Sequence, residues 1–598
     1  MKTELHSGDP EKGGIFPTLP DQALSPQARW LSQTIAADYG NAPSVRLTVA
    51  LAMQLFEAGH TCLQLKSLEG LAFPTDARFE GPRPEGCPAV TLPSAKAWRQ
   101  ALLDSGACES FDTQNIPSRP LQYHEDETGF SVALSRFSSR EMAVARKLTG
   151  LAANPVEPDA DFPDEKLNRE QRAAVCWAVK NRLTLISGGP GTGKTTTVAR
   201  LVAHLLAEKP STLVKMAAPS GKAAARMTES FRKELGQHTL PLGCVVEDAS
   251  TIHRLLGVSH DGQSVRHNAS SPLVADCVII DEASMVSTEQ MKDLLNALGP
   301  KSKLVLLGDK NQLKSVDPGN VLGAICRQAA QKNSHFTACV HVLTTSYRFD
   351  VDNSTGRLAQ AIIHIAPEVA IQELRSATPP LVWLPNWNPA TDAEPLYRTL
   401  FADLCQASTP LDALKALDQA RILCSQNAGA YGIEAVNSSC ATLLTRAFPG
   451  APLPHPIIIS ENDYDLELFN GDTGVILTDP ATKREKAFFR AAAPGTSGVR
   501  EFAVGLLPAH APAYAISIHK SQGSEYRRLA VLLPPYPTRT LSRSLLYTAV
   551  TRFREADDAI LYLAATDAIM RTAINRENDY ASLFPTALEL STKGLCHE

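Results

Sequence analysis

The segment SGGPGTGKTT, residues 187–196, contains residue types that together can hold a polyphosphate. Gly188, Gly193, Lys194 and Thr195 fit the pattern G-x-x-x-x-G-K-[ST]. Glycines let the backbone approach the phosphates, Lys194 reaches the β- and γ-phosphates, and the Thr195 hydroxyl ligates Mg²⁺. The predicted phosphate-binding set is Gly188, Gly189, Pro190, Gly191, Thr192, Gly193, Lys194, Thr195 and Thr196.

The elements on either side of this segment decide between a phosphate loop and a chance glycine-rich turn. The apolar run LTLI before it indicates a buried strand. After it, apolar residues recur with the spacing of one helix face, at Val198, Leu201, Val202, Leu205 and Leu206. A helix N-terminus that follows a strand presents free N–H groups to an anion. The arrangement therefore favours a nucleotide site over a chance turn.

Two later strands end in polar residues of the kind that assist phosphoryl transfer. The run CVII is followed by Asp281, which suits Mg²⁺ held through water, and Glu282, which suits the base for an attacking water. The run KLVLLG is followed by Asp309 and then Gln312, a residue type that can sense a γ-phosphate. Taken without other motifs, Gln312 is equally compatible with a surface glutamine.

Two arginines are candidates for neutralising charge on the transferred phosphoryl group. Arg348 lies in TTSYRF and Arg552 lies in LYTAVTRFR. An arginine supplied by a second domain can stabilise this charge and couple it to domain closure. From the residues alone, a surface or ion-paired arginine remains the competing interpretation for both.

Composition limits the class of protein. The chain has 598 residues, a formal net charge of −5 and 12 cysteines, none in a C-x-x-C pair. This acidic balance excludes a broad basic face for nucleic acid, so any such site must be a local groove. Scattered single cysteines, a polar N-terminus and the lack of a long apolar run predict a cytoplasmic protein.

The pattern of elements predicts the α/β class, with two domains built on parallel sheets. The predicted units are an N-terminal, mostly helical domain at 1–115, a helical linker at 116–165, and two α/β domains, the first at 166–345 and the second at 346–598. A small hairpin is expected at about 257–272 and a small β insertion at about 438–510. Ser138 and Glu141, spaced as a capping box, predict a helix start inside the linker.

An ordered series of segments resembles the motifs of superfamily one DNA helicases, in the branch that moves 5′ to 3′. The series reads LNREQ, GGPGTGKTT, APSGKAAAR, TIHRLLG, IIDEASM, LLGDKNQL, SYRF, AISIHKSQGSEY and LLYTAVTRFR. Within that branch, SVDPGNVLGAIC and FNGDTGVIL are similar to the RecD family, the alpha subunits of RecBCD-type (exonuclease V) complexes. The resemblance is strong over residues 166–580 and faint over 45–150. It implies that the two α/β domains are RecA-like P-loop domains, the first and second motor domains, and that the second carries an SH3-like insertion.

The resemblance also assigns roles to individual residues. It implies that Gln171 contacts the adenine edge, with Asn168 part of the same nucleotide-binding motif, that Glu525 reaches the ribose and that Arg552 is an arginine finger. Lys194, Glu282, Gln312 and Arg348 would complete the catalytic set, with Thr195 and Asp281 as the metal site. Contacts with single-stranded DNA are implied for Pro219, Ser220, Thr251, His253, His519, Ser521 and Gln522. Ser220 stands where the family often has Thr, and either hydroxyl can bond a DNA phosphate.

The activity that the resemblance implies is ATP- and Mg²⁺-dependent 5′–3′ translocation on single-stranded DNA, starting from duplex ends. The implied partners are RecB-like and RecC-like subunits, which dock on the N-terminal domain and form a heterotrimer for double-strand-break repair and recombination. Two alternatives remain: a self-standing RecD-like helicase, and a regulatory P-loop ATPase that does not unwind DNA. Outside the motor motifs the sequence has no Asp/Glu/Lys cluster of the kind that indicates a nuclease. We therefore expect no nuclease site in this chain.

Overall fold

The computed structural model describes most of the chain, in which helices and strands alternate over two parallel sheets. The described residues are 16–595 except 77–78, 80–86, 113–115, 158–163, 165, 237–246, 260–263, 316, 333, 348–352, 450–451, 464, 479–481, 483, 492–497 and 578–579. Two adjacent parallel α/β domains confirm the predicted fold class.

The first motor domain is a six-stranded parallel sheet in the order β12-β7-β11-β10-β8-β9. Its central strands are buried on both faces and consist almost entirely of apolar residues, as parallel sheets require. Its elements are α6 (Arg169–Lys180), β7 (Leu183–Gly188), α7 (Lys194–Glu208), β8 (Val214–Ala218), α8 (Gly221–Leu235), β9 (Ser250–Thr251), α9 (Ile252–Leu256), β10 (Cys277–Ile280), α10 (Thr288–Ala297), β11 (Lys303–Gly308), α11 (Val321–Ala329) and β12 (Val340–Leu343).

The second motor domain is a five-stranded parallel sheet in the order β13-β22-β21-β14-β20. Its elements are α12 (Ser354–Ile363), α13 (Pro367–Arg375), β13 (Leu381–Leu384), α14 (Ala393–Leu400), α15 (Ala402–Cys405), α16 (Pro410–Gln419), β14 (Ala420–Cys424), α17 (Ile433–Ala447), β20 (Ala515–Ser517), β21 (Arg528–Leu532), α18 (Arg543–Val550), β22 (Ile560–Ala564) and α19 (Asp567–Asn575).

An antiparallel sheet of five strands is inserted between α17 and β20. The strands lie in the order β18-β17-β16-β15-β19 and are β15 (His455–Ile459), β16 (Thr473–Thr478), β17 (Glu485–Arg490), β18 (Val499–Ala503) and β19 (His510–Pro512). Its own small core includes Ile457, Ile459 and Phe489. The sheet falls within the stretch in which a β insertion was predicted, and its SH3-like character stays a prediction.

The predicted hairpin near 257–272 is represented by two antiparallel bridges. They pair Val258 with Val265 and Asn268 with Ser271, while the tip at 260–263 lies outside the described residues. Gly257 adopts a φ of 66° where α9 ends, which turns the chain into this segment. The segment therefore emerges directly from the helix that carries two of the predicted DNA contacts.

Within its described residues, the N-terminal unit contains five α-helices and a mixed four-stranded sheet that sequence patterns did not predict. The sheet order is β1-β6-β5-β4. The prediction of a helical linker over 116–165 is wrong, because β5 and β6 lie inside that range and pair with β4 and β1. The elements are α1 (Pro26–Ala37), α2 (Pro43–Glu57), β1 (Leu63–Gln64), α3 (Leu65–Leu68), β2 (Ala72–Phe73), β3 (Val90–Thr91), α4 (Ala95–Asp104), β4 (Cys108–Ser110), β5 (Leu121–Asp126), β6 (Gly129–Leu134) and α5 (Ser135–Ala152).

The last helix, α20 (Phe584–Leu595), does not belong to the second motor domain in which it was predicted to lie. Its buried residues Phe584, Ala587 and Leu588 join the core formed by α5, α11 and the first motor sheet. Apolar burial thus brings the end of the chain back to the first motor domain. Among the described residues, no helix is both long and apolar enough to cross a bilayer.

A buried carboxylate lies where the N-terminal unit, α5 and the C-terminal segment meet. Glu141 is 1% exposed, and its Oε1 accepts hydrogen bonds of 2.6 Å from both Thr61 and Ser582. Burial raises the pKa of Glu141 from 4.5 to about 7. The predicted capping box of Ser138 and Glu141 is wrong, since α5 already begins at Ser135 and Ser138 donates to Gln122.

We expect this carboxylate to make the junction less stable as pH rises. A pKa raised on folding contributes stability that is fully present below about 4.5 and is lost as pH increases through about 7. Glu141→Gln keeps the hydrogen-bond acceptor but removes the charge. The free energy of unfolding at pH 8 should therefore rise by up to roughly 3 kcal/mol, and the unfolding midpoint should rise with it. Calorimetric scans between pH 5 and pH 8 measure this. Glu589 lies on the exposed face of α20, so Glu589→Gln is the control and should leave the pH dependence of stability unchanged. An unchanged pH dependence in Glu141→Gln would contradict the role assigned to Glu141.

Candidate active site and nucleic-acid interface

The glycine-rich loop lies between β7 and α7, as the sequence predicts. Gly191 and Gly193 have φ angles of 77° and 78°, a region that favours glycine, and α7 begins at Lys194. A Cβ atom on Gly193 would overlap the side-chain nitrogen of Gln171, so the loop has no space for a larger residue there. The backbone is therefore shaped so that the N–H groups at the start of α7 face the interior of the loop.

The ammonium group of Lys194 lies inside this loop. Its Nζ donates to the carbonyl oxygens of Gly188 and Gly189 at 2.6 and 3.1 Å. Thr192 donates to the same Gly189 carbonyl at 2.8 Å, while Thr195 and Thr196 sit partly exposed on the first turn of α7. Positive charge, free amides and a nearby hydroxyl are thus gathered at one point, which fits a polyphosphate with a divalent cation.

The side chains of the two residues in the predicted adenine-contacting motif form hydrogen bonds within the protein. Asn168 caps α6, and with Gln171 it forms a reciprocal capping box. The Gln171 amide nitrogen also donates to the carbonyl of Thr192 at 3.2 Å, and Asn168 donates to the Tyr347 hydroxyl at 2.9 Å. Gln171 is 3% exposed, so in this structure it holds the phosphate loop in place and does not face an open base pocket.

The acidic pair follows β10 at the carboxyl end of the sheet. Burial, and then repulsion from the Glu282 carboxylate, raises the pKa of Asp281 to about 6, while Lys194 acts in the opposite direction. Glu282 has a φ of 50°, which costs a non-glycine residue about 1–3 kcal/mol. Strain at a residue next to Lys194 and Asp281 is expected where the backbone aims a side chain for chemistry.

The loop after β11 holds a buried network that sequence reasoning found only in part. Gln312 donates to Asp309 at 3.2 Å, and Tyr547 of α18 donates to the same carboxylate oxygen at 3.0 Å. Gln312 Oε1 is buried and has no hydrogen-bond partner among the residues that the structure describes. Since a buried acceptor without a partner is costly, this oxygen fits a role in contacting a ligand at the phosphate site.

Tyr547 also brings the second motor domain against the phosphate loop. A Cβ atom placed on Gly189 would come within 2.9 Å of the Tyr547 hydroxyl. Burial, assisted by the Asp309 carboxylate, raises the pKa of Tyr547 well above its ordinary value, so the hydroxyl keeps its proton and donates. Tyr547 lies within the motif LLYTAVTRFR, but tyrosine is a common core residue and nothing local distinguished it.

Further hydrogen bonds cross between the two motor domains at the same place. The Leu313 amide donates to Thr548 Oγ1 at 2.9 Å, and its carbonyl accepts from Gln522 at 3.0 Å. Arg226 of α8 forms an ion pair of 2.7 Å with Glu525, the residue predicted to reach the ribose. The nucleotide site therefore lies at the interface of the two domains.

Of the two predicted charge-neutralising arginines, the structure describes one. Arg552 is 3% exposed and donates to the carbonyl oxygens of Thr548 and Ser524. Burial lowers the pKa of Arg552, while the carboxylates of Glu282 and Glu525 act in the opposite direction. Arg552 thus lies near the acidic pair from the second domain, and Arg348 lies outside the described residues.

Several predicted DNA contacts cluster at helix N-termini on the first motor domain. Ser220 caps α8 by accepting from the Ala223 amide, and Thr251 caps α9 by accepting from the Arg254 amide. Their strands β8 and β9 are neighbours in the sheet, and Pro219 precedes the Ser220 cap. His253 is exposed on α9. Hydroxyl groups and helix amides are suitable donors for a phosphate backbone.

On the second motor domain the predicted DNA contacts are only partly accessible. Burial lowers the pKa of the half-buried His519. Ser521 is fully buried and donates to the Ile518 carbonyl, and Gln522 is 5% exposed and bonds Leu313. The prediction that the side chains of Ser521 and Gln522 touch DNA does not agree with these positions. They close a turn and join the domains instead.

Comparison with family models identifies both motor domains. The model of the AAA domain matches residues 171–318, and the model of the UvrD-like helicase C-terminal domain matches residues 512–556. A crystal structure of Bacteroides Pif1 bound to ssDNA aligns at a TM-score of 0.37, with 16% identity over 68% of this chain and 94% of that chain. The two family matches and the site between the domains define a P-loop DNA helicase.

Relatives then identify the family. A third model, the N-terminal domain of RecBCD enzyme subunit RecD, matches residues 21–127. RecBCD enzyme subunit RecD of Mycolicibacterium smegmatis is 34% identical, over 91% of this chain and 93% of the relative. The chain therefore belongs to the RecBCD enzyme subunit RecD family. ATP-dependent RecD2 DNA helicase of Deinococcus radiodurans is 30% identical, over 65% of this chain and 48% of the relative.

We expect the Tyr547 hydroxyl to be required for hydrolysis and not for nucleotide binding. Tyr547→Phe leaves Asp309 with one donor fewer, a loss of about 1–3 kcal/mol that weakens the contact between domains. The turnover number of DNA-stimulated ATPase should fall about tenfold, while a fluorescent ATP analogue binds with unchanged affinity. Tyr536→Phe, at an exposed tyrosine of the second domain, is the control. Wild-type turnover in Tyr547→Phe would remove this hydrogen bond from the mechanism.

Proposed function

We propose that this chain is an ATP-dependent 5′–3′ translocase and helicase on single-stranded DNA, and a subunit of a RecBCD-type helicase–nuclease acting in double-strand-break repair and recombination. The observation that carries the proposal is the buried contact of the Asp309–Leu313 loop with Tyr547, Thr548 and Gln522. It joins the loop after β11, which lies beside Gly189 of the phosphate loop, to the other domain. A nucleotide bound there touches both domains, so its hydrolysis can open and close the cleft between them.

The residues present fit ATP as substrate and Mg²⁺ as its metal. The Lys194 ammonium lies inside the glycine-rich loop, and the Asp281 carboxylate follows β10 at the same edge of the sheet. The buried, unpartnered Oε1 of Gln312 points to a missing polar partner among the described groups. Thr195, and Asp281 through water, would hold Mg²⁺, which would supply positive charge to neutralise the phosphates.

The roles of the chain's own residues in hydrolysis follow from their positions. Glu282 is aimed by its strained backbone and would take the proton of the attacking water. Lys194 neutralises charge on the β- and γ-phosphates, and Arg552 approaches the same region from the second domain. Arg552 is held by backbone carbonyls of Thr548 and Ser524, so delivery of its charge requires a small rearrangement, which closure of the cleft on the nucleotide would supply.

Single-stranded DNA would lie across the N-termini of α8 and α9 on the first domain and near His519 on the second. The contacts offered by Ser220, Thr251 and His253 are suited to the sugar–phosphate backbone, which predicts binding without base specificity. This arrangement also accounts for DNA binding by a chain with a net charge of −5, because helix dipoles and amides replace a basic patch.

Two other functions are less well supported. A self-standing helicase of the RecD2 kind would explain the motor domains, but the chain aligns with 48% of that relative against 93% of RecBCD enzyme subunit RecD. A regulatory ATPase without unwinding activity does not require helix N-termini arranged as a DNA-binding surface. We assign the nuclease activity of the complex to a partner subunit.

The direct test of the function is unwinding polarity. We expect the isolated chain to unwind a duplex with a 5′ overhang and to leave one with a 3′ overhang intact, because the motifs belong to the 5′–3′ branch. Strand separation is measured with fluorescent oligonucleotides in the presence of ATP and Mg²⁺. Lys194→Gln is the control, since it removes the phosphate clamp and should abolish unwinding of both substrates. Unwinding restricted to the 3′-overhang duplex would contradict the proposed direction.

Partner docking on the N-terminal unit can be tested without deleting that unit, which shares a core with the first motor domain. Trp30 on α1 is 66% exposed, and tryptophan is a frequent energetic centre of interfaces. We expect Trp30→Ala to reduce co-purification with RecB- and RecC-like subunits and to leave DNA-stimulated ATPase unchanged. Leu506→Ala, equally exposed at 66% on the β insertion, is the control. Loss of the complex only in Leu506→Ala would assign docking to the insertion.

A further inference from the structure

Helix α8 links the predicted DNA surface to the nucleotide site. Its N-cap is Ser220, a predicted DNA contact, and Arg226 lies further along the same helix. The guanidinium of Arg226 reaches the second motor domain through two separate contacts. It donates to the Gly523 carbonyl at 2.6 Å and pairs with the Glu525 carboxylate at 2.7 Å.

Residues 519–526, the segment that Arg226 contacts, pack closely on α8. Gly523 has a φ of 70°, and a Cβ atom built on it would lie 3.3 Å from the Cβ of Ala223 in the first turn of the helix. The same segment carries His519 on its DNA side and Glu525 on its nucleotide side. Arg226 therefore joins a helix and a segment that each extend from the DNA surface to the nucleotide site.

Arg226 is also electrostatically close to the catalytic charges. Its positive charge opposes the rise in the pKa of Asp281 that burial causes, and it adds to the lowering of the pKa of Arg552 by burial. The Glu525 side chain is 14% exposed, so the pair is partly shielded from water. An arginine that contacts a backbone carbonyl and a shielded carboxylate at once fixes geometry better than a surface ion pair, which contributes little.

We propose that Arg226 is a positioning residue that couples DNA binding to ATP hydrolysis, by holding Glu525 and its segment against α8 when the cleft is closed. This inference rests on the proposed function. DNA held between Ser220 and the 519–526 segment brings α8 and that segment together and favours the Arg226–Glu525 contact. The contact in turn sets the nucleotide-side end of the segment, Glu525, next to Arg552 and the acidic pair.

The same helix provides a matched control. Arg232 also lies on α8 and pairs with Asp248 of the same domain, at 54% and 53% side-chain exposure. Arg232→Gln therefore removes the same functional group from the same helix without touching the second domain. Arg226→Lys keeps the charge, but a single ammonium cannot reproduce the fork that spans Gly523 and Glu525.

The experiment compares ATPase turnover of the full chain with and without oligo-dT, at saturating ATP and Mg²⁺. We expect Arg226→Gln to lower the DNA-stimulated turnover about tenfold and to raise the oligo-dT concentration for half-stimulation, the scale of a moderate coupling between two sites. The DNA-free rate should change by less than about twofold, since the coupling and not the phosphate clamp is lost. Arg232→Gln should match the wild type, and Arg226→Lys should be intermediate.

A double variant tests whether Arg226 acts through Glu525. If it does, Arg226→Gln combined with Glu525→Gln should reduce stimulation no further than Glu525→Gln alone, because residues that act as one unit are non-additive. The inference would be overturned if the effects of Arg226→Gln and Glu525→Gln multiplied in the double variant. Equal behaviour of Arg226→Gln and Arg232→Gln would also overturn it. So would an Arg226→Gln protein that loses DNA-free and DNA-stimulated turnover equally. A wild-type ATPase that ignores oligo-dT would instead overturn the proposed function.

Discussion

The hydrogen bonds between the Asp309–Leu313 loop and the second motor domain are the constraint on which the site depends. Tyr547, Thr548 and Gln522 supply partners to Asp309 and to both backbone groups of Leu313. All of these side chains are at most 5% exposed, so a broken bond leaves a buried polar group without a partner, at a cost of about 1–3 kcal/mol. The conformation of the Asp309–Leu313 loop and the angle between the domains must consequently change together.

Two kinds of contact cross the cleft, and they suit different tasks. The contacts around Leu313 are buried and mostly between uncharged groups, which makes them short-range and sensitive to geometry. The Arg226–Glu525 pair lies nearer the surface, and its fork tolerates modest movement while the charges stay attracted. The first set therefore defines one closed arrangement, and the second can follow the position of α8 as DNA binds. Neither contact requires the chain as a whole to be basic.

The parts of the site that were predictable from sequence are those whose chemistry is local. The phosphate loop and the acid pair each follow a buried strand, and the parallel sheet gathers those strand ends at one edge. Gln171, Ser521 and Gln522 were assigned to ligands by resemblance, yet their side chains bond partners within the protein. The capping box predicted at Ser138 does not form, because Ser138 donates to Gln122 of β5 and Glu141 accepts hydrogen bonds from Thr61 and Ser582. Such distant pairings leave no periodic signal.

Distant contacts also explain why the chain cannot be divided at the predicted boundaries. The Thr61 amide bonds the Ala581 carbonyl, and α20 continues from there into the core of the first motor domain. Just before this point, the ring of Tyr580 packs edge-on against His60, and the ammonium of Lys314 lies 5.2 Å from the same ring. Lys314 directly follows Leu313, so Tyr580 lies between His60 of the N-terminal unit and the end of the Asp309–Leu313 loop. The N-terminal unit, through Tyr580, and the second motor domain, directly, therefore approach one short segment of chain, residues 309–314.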